Sequence, residues 1–276
     1  MTASMTMLAV LNLAGTAQSV LATSGLLAAR LGGARIDVLH IRAKVDPSFM
    51  PTEEMMSEAR DRAFQAGEDR RSSHLQGTWD AWQREGGAGS AATWREVVGE
   101  TKAVIAAEGS KADLIVIGHA ARGDEAGARE AIQAALLQAK VPVVLAPETV
   151  PRTAGRHAAI AWKPSEAADQ AIQAALPLLF AADRVTVLIA AKDGVGNATP
   201  RALAASLAPG NHAFAVHRFA PGRGAIGDVL VREAVAVGAD LLVMGAYTHN
   251  HLLESLLGGA TRDVVAHSAL PVLMHH

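Results

Sequence analysis

The two halves of this 276-residue chain carry the same sequence pattern, and this repeat limits the fold more than any other feature. The segment Ala112–Gly118 matches Ala239–Gly245 at an offset of 127 residues, and Lys140–Leu145 matches Ala269–Met274 at an offset of 129. A repeat of this length is too long for a solenoid, whose units have about 20 to 50 residues. The sequence therefore predicts a duplicated domain, with a first half at 1–150 and a second half at 151–276.

Each half has the same predicted order of strands and helices. Strands are predicted at 6–12, 35–42, 93–98, 113–118 and 142–146, and again at 157–162, 184–190, 212–219, 239–244 and 270–274. Apolar residues at helical spacing separate them. Continuous apolar strands such as Leu114–Ile117 are typical of a parallel sheet that is covered on both faces. We therefore expect the α/β class, with two tandem, doubly wound, Rossmann-like parallel-sheet domains. One continuous sheet through both halves would count against this organisation.

The first half contains a surplus of residues within 49–89. Leu75, Trp79 and Trp82 fall at i, i+4 and i+7, which predicts a long second helix packed on the sheet. The alternative interpretation is a movable apolar flap over a ligand crevice. Its adaptable contacts would be Phe49, Met50, Met55 and Met56.

Composition excludes several classes of protein. The chain has no cysteine, which excludes disulfides, thiolate metal sites and cysteine nucleophiles. A formal net charge of −2 provides no field to attract nucleic acid or an anionic membrane. We find no apolar run of membrane-spanning length and no signal-peptide pattern, so we expect a cytoplasmic protein without a membrane partner. The histidines, including His249 and His251, lack the spacing of metal ligands, so no metal site is predicted.

Three segments of the second half are expected at the carboxyl ends of its strands, where open parallel sheets bind ligands. They are Lys163–Ser165, Gly245–Leu257 and the pair Gly258-Gly259 that opens the last helix. Glycines at a helix start allow backbone N–H groups to approach an anion, so Gly258–Thr261 is a candidate phosphate cradle. Alternatively, the two glycines only permit a tight turn and close packing. Neither Ser165 nor Thr248 has a base beside it, so we expect no catalysis.

The same segments resemble a known family. Ile160–Ala168 looks like the opening of a universal stress protein domain, and Gly245–His249, Leu257–Arg262 and Leu270–Met274 look like its ending. Taken together, the chain is similar to the tandem universal stress proteins. The resemblance implies a five-stranded parallel sheet in each domain and pairing of the two domains as a pseudo-dimer, often through their last strands. It also leaves room for a homodimer and for a partner protein.

Some members of that family bind ATP through the pattern Gly, two residues, Gly, nine residues, Gly, then Ser or Thr. Gly245 and Gly258 fit the first and third glycines, whereas Thr248 and Gly259 replace the second glycine and the hydroxyl residue. Lys163 stands where family binders place an aspartate, and a lysine cannot accept a hydrogen bond. If ATP binds, the residues expected to contact its phosphates are Gly245, Gly258, Gly259 and Thr261. The residues expected to line the mouth of the site are Thr248, His249 and Lys163.

The first half departs further from that pattern, because Arg129 and Glu130 stand at the third glycine and its hydroxyl neighbour. The resemblance therefore implies a degenerate first domain that serves as a packing partner. Our interpretation is a non-catalytic stress-response protein that binds a small anionic ligand or a partner protein. The first alternative is a protein that binds ATP in the second half only. A less favoured alternative is a dinucleotide-dependent enzyme that uses Gly222–Gly227, although this G-x-G-x-x-G motif follows the third strand of its half rather than the first.

Overall fold

The fold was obtained as a computed structural model. It describes residues 5–46, 58–87, 91–119, 125–190, 203, 205, 207, 213–222, 225–246, 264 and 268–275. All ten predicted strands are present. They are β1 Thr6–Val10, β2 Arg35–Arg42, β3 Ala92–Val98, β4 Leu114–Gly118, β5 Val143–Ala146, β6 His157–Ala161, β7 Arg184–Ala190, β8 Ala213–Phe219, β9 Leu241–Gly245 and β10 Val272–His275. The described helices are α1 Ala17–Arg30, α2 Glu58–Arg84, α3 Thr101–Gly109, α4 Glu125–Leu137, α5 Glu166–Ala181 and α6 Ile226–Ala236.

The ten strands form one sheet in the order β3-β2-β1-β4-β5-β10-β9-β6-β7-β8. Pairing within each half is parallel, and the only junction between the halves within the described sheet is the antiparallel pair β5–β10. The expectation of two separate sheets is therefore wrong, whereas pairing through the last strands is confirmed. The duplication survives this correction, because each half keeps the same strand order and only its last strand reaches across.

The apolar strands are buried because both faces of the sheet are covered. In β1, Met7 and Ala9 belong to one core cluster, and Leu8 and Val10 belong to the other. Both clusters contain residues from both halves, so each core layer extends across the β5–β10 junction. Burial on two faces is the physical reason that these strands are continuously apolar rather than alternating.

The surplus segment of the first half contains the long helix α2, which has 27 residues. Leu75 and Trp79 of this helix are buried, and the Trp79 ring lies 6.3 Å from that of Trp94 in the edge strand β3. The prediction of a long second helix packed on the sheet is therefore confirmed. The four apolar residues of the alternative flap, Phe49, Met50, Met55 and Met56, lie outside the described residues.

The two halves also contact each other through their first helices. The Arg30 guanidinium at the end of α1 donates to the carbonyl of Ala181 and forms a 2.8 Å ion pair with Asp183. Asp183 also pairs with Arg156, and these two guanidinium groups hold the pKa of its carboxyl below the usual value. Residues 147–156 connect β5 to β6 without a helix or strand of their own. The division of the chain into domains near residue 150 stays a prediction.

Candidate functional site

Each half has one point where the strand order reverses, between β1 and β4 in the first half and between β6 and β9 in the second. Open α/β sheets bind ligands beyond the carboxyl ends of the strands at such a point. Because β5 and β10 are antiparallel, the carboxyl ends of the two halves lie at opposite edges of the sheet. The protein therefore has two candidate crevices that face in opposite directions.

The second-half crevice contains the two sequence-predicted site residues that the structure describes. Gly245 ends β9, and Lys163 is an exposed residue just beyond the end of the neighbouring strand β6. A Cβ atom on Gly245 would lie 2.7 Å from the carbonyl carbon of Ala167, so this glycine packs directly on the start of α5. The structure thus brings Gly245 and the segment that follows Lys163 together at the reversal point.

Thr248, His249, Gly258, Gly259 and Thr261 lie outside the described residues. The candidate phosphate cradle at Gly258–Thr261 therefore stays a prediction.

Ser165 serves as the cap of α5. Its hydroxyl accepts a hydrogen bond from the N–H of Ala168 at 3.2 Å and donates to the carbonyl of Lys163 at 3.3 Å. Glu166 and Asp169 occupy the first turn of the same helix, where carboxylates interact favourably with the helix dipole. At the amino terminus of α5, the Ser165 hydroxyl thus occupies the N–H of Ala168, and two carboxylates lie in the first turn. An anion in this crevice would rely on Lys163 and on the chain that follows Gly245.

The first-half crevice repeats the glycine but not the cation. A Cβ atom on Gly118, which ends β4, would overlap the Thr16 hydroxyl. Asn12 occupies the position after β1 that corresponds to Lys163, and its side chain carries no charge. The same close approach of strand and helix thus occurs in both halves, which explains a glycine at both positions without reference to a ligand. The repeat already aligns Gly118 with Gly245, but only the structure shows that both lie against the start of a helix.

A buried histidine in β2 is not indicated by the sequence motifs discussed above. His40 of β2 is fully buried, its Nδ1–H donates to the carbonyl of Leu11 at 3.1 Å, and its ring stacks on Trp94. Burial is the main reason that the pKa of His40 lies below its usual value. Its surrounding charges are Glu96 at 4.0 Å together with Glu68 and Arg71 of α2. The alternation in β2 predicts an inward residue at position 40, but it does not reveal the loss of water around the ring.

The lowered pKa of His40 predicts that the protein loses stability in mild acid. As pH falls below about 6.5, the histidine binds a proton in the unfolded state but stays neutral in the folded state. The free energy of unfolding therefore decreases as pH falls from this value to the folded-state pKa. His157 contributes in the same direction, since burial also lowers its pKa. We expect the variant His40→Asn, which retains an N–H donor, to show a shallower dependence in urea unfolding between pH 5.5 and 7.5. The exposed His74→Asn is the control, and an equally shallow slope in that variant would contradict the assignment to His40.

Two aspartates at the amino ends of the strands have structural roles. Asp113 accepts a hydrogen bond from the N–H of Thr6 at 2.8 Å, and Asp240 accepts one from the N–H of His157 at 2.9 Å. Each carboxylate therefore ties the fourth strand of its half to the first. They lie at the edge of the sheet opposite the crevice of their own half.

The dinucleotide motif lies away from the reversal point. It follows β8, which is the outermost strand of the second half. Gly222 has a φ of +65°, a backbone conformation that favours glycine in a turn, and Asp228 lies in the first turn of α6. Residues 223 and 224 of the motif are outside the described part of the chain. The position at the sheet edge favours a glycine-rich loop over a dinucleotide site.

The described part of the chain contains neither a metal site nor a membrane-spanning helix. Within it, no group of three or more His, Cys, Asp or Glu side chains is arranged to hold a metal ion. Among the helices described above, none combines the length and the apolar character needed to cross a membrane.

Two doubly wound halves with the same strand order, joined through their last strands, define a tandem α/β protein of the Rossmann-like class. A model of the Universal stress protein family matches residues 124–276, which is more than half of the chain. The chain belongs to the universal stress protein family. This match includes all of the second half, where the resemblance of individual residues is also strongest.

Solved structures support the fold of the whole chain. A universal stress protein from Archaeoglobus fulgidus DSM 4304 is 17% identical with a TM-score of 0.71, and the match covers 98% of this chain and 95% of that one. A protein from Pseudomonas aeruginosa PAO1, described as functionally unknown, is 12% identical with a TM-score of 0.52 and coverages of 99% and 92%. None of the curated proteins compared with the chain matches it significantly.

Proposed function

We propose that the chain is a non-catalytic stress-response protein that acts by binding, with a small anionic ligand at the carboxyl ends of β6 and β9. The observation that carries this proposal is the position of the exposed Lys163 just beyond β6 and of Gly245 at the end of β9, the two strands that flank the reversal point. An exposed cation at this point attracts an anion, and the glycine removes the side chain that would separate the strand end from α5. At the equivalent positions of the first half, the glycine is present as Gly118, but the uncharged Asn12 stands in place of the lysine.

ATP is the nucleotide candidate for this anionic ligand. Doubly wound sheets bind nucleotides at the reversal point, and the triphosphate would provide the negative charge that Lys163 attracts. The predicted contacts on the chain after Gly245 are those named from the sequence. A partner protein that presents a carboxylate or phosphate group would use the same cation.

The proposal is tested by calorimetric titration of the full chain with magnesium ATP and, separately, with inorganic phosphate. We expect saturable binding that weakens as salt is added, because the cation is exposed and screening acts on it. Lys163→Ala is expected to reduce the affinity by about tenfold, a value just below the range for a hydrogen bond to a charged group because the lysine is exposed. Lys44→Ala, which removes an exposed lysine after β2 at the opposite edge, should leave the affinity unchanged.

Two results would overturn this proposal. The first is the absence of saturable binding by either probe, which would favour a partner protein as the ligand. The second is turnover, because release of phosphate from ATP above the buffer rate would show an enzyme. We expect no such release from the wild-type chain.

A further inference from the structure

His119 is anchored in the first half. It follows Gly118 at the end of β4, its N–H donates to the carbonyl of Ala146 at 3.1 Å, and its side chain is buried. The main chain of His119 therefore continues the pairing between β4 and β5. Its position is fixed by the sheet of the first half.

The imidazole of His119 reaches into the second half. Its Nε2 lies 3.3 Å from the carbonyl oxygen of Val264, a fully buried helical residue 145 positions further along the chain. The same carbonyl accepts the N–H of Ser268 at 3.1 Å, immediately before the chain turns into β10. The Val264 carbonyl therefore accepts one hydrogen bond from its own half and lies within hydrogen-bond distance of an imidazole from the other half.

The repeat shows that this contact acts in one direction. Position 119 corresponds to Ala246, and the two backbones make equivalent bonds, since the N–H of Ala246 donates to the carbonyl of His275 at 2.9 Å. Ala246 is fully buried and has no side-chain donor. The second half therefore cannot return this contact through the equivalent position of the first.

The segment from Ser268 to β10 leads directly to the candidate ligand site. Ser268 bonds to Leu270 through its hydroxyl, and the carbonyl of Pro271 accepts the N–H of Leu242 in β9. The following strand, β10, pairs with β9 and places His275 beside Gly245. The segment that leads from Ser268 into β10 is thus hydrogen-bonded to β9, the strand whose end forms one side of the crevice.

We propose that His119 is a positioning residue through which the first half regulates the anion affinity of the second half. This inference rests on the proposed function, because it concerns the same ligand site. It gives the first half, which resembles a degenerate copy, a definite role. In this inference, the bond from His119 to the Val264 carbonyl holds the start of β10 in the arrangement that binds the anion.

The inference is tested in the full-length protein with His119→Leu, which has a similar volume but no donor, and His119→Gln, which retains an N–H donor. We expect His119→Leu to weaken magnesium ATP or inorganic phosphate binding by about threefold to tenfold, the effect of one net hydrogen bond. His119→Gln should bind within about twofold of the wild type. The control His74→Leu removes an exposed imidazole from α2 and should change nothing.

Amide hydrogen exchange provides a measurement that needs no ligand. In His119→Leu, the amides of Ser268 and Leu270 should exchange faster, whereas those of β1 and β2 should keep the wild-type rate. Equal affinity and equal exchange in the leucine variant and the wild type would overturn the inference and leave the proposed function intact. Failure of the wild type to bind either anion would instead reject the proposed function, and with it this regulatory role. Faster exchange throughout the leucine variant would show general destabilisation, and it would also overturn the inference.

Discussion

Gly245→Ala is expected to reduce the free energy of unfolding by about 3 kcal/mol, at the upper end of the cost of overpacking. The added Cβ would lie 2.7 Å from the carbonyl carbon and oxygen of Ala167 and 2.9 Å from the N of Ala168. These are backbone atoms at the start of α5, which the Ser165 cap holds in place, so no change of side-chain rotamer relieves the overlap. The measurement is urea unfolding of the full chain.

The equivalent glycine of the first half provides a matched control. At Gly118, the added Cβ would overlap side-chain atoms of Thr16 and lie 2.7 Å from the Thr16 Cβ. Both overlapping atoms are absent in Thr16→Gly, so Gly118→Ala should cost less than about 1 kcal/mol in that background. Thr16→Gly should not rescue Gly245→Ala. If Gly245→Ala unfolds like the wild type, α5 does not pack on β9 as described.

These two glycines show why one motif position is a weak indicator of a ligand. Gly245 fits the first glycine of the family's ATP pattern, but Gly118 occupies the same place in a half where the rest of that pattern is missing. Both positions demand a glycine because a helix start crosses a strand end at close range. The useful signals for a ligand are therefore the residues that differ between the halves, above all Lys163 against Asn12.

The strands were predictable because their information is local. A short apolar run such as Leu114–Ile117 is buried on both faces wherever it lies in a parallel sheet, so composition within the run indicates the strand. The parallel direction of the strands within each half follows from the alternation of strand and helix along the chain. The same reasoning gave the long helix α2 through its apolar spacing.

The junction between the halves was not predictable from such local patterns. The strand β5 is as apolar as its neighbours, and the sequence around it does not show whether its outer edge is covered or paired. The contact from His119 to Val264 joins residues 145 positions apart, and nothing near either residue indicates the other. The family resemblance implied pairing through the last strands, but the contact from His119 to Val264 depends on how complete layers pack and follows from the structure.

Trp79→Ala is expected to cost about 3 to 5 kcal/mol of unfolding free energy, the usual range for removal of a buried tryptophan. Trp79 is only 7% exposed, and its ring lies 5.4 Å from Trp82 and 6.3 Å from Trp94. This aromatic group joins α2 to the edge strand β3. Its loss leaves a cavity beside the edge strand, and β3 has only one neighbouring strand to hold it. Thermal or urea unfolding measures the loss.

Trp82→Ala is the matched control, since Trp82 is only partly buried on the next turn of the same helix. We expect a smaller loss, because less of its ring leaves water during folding. An equal loss of stability in the two variants would contradict the packing of Trp79 between α2 and β3.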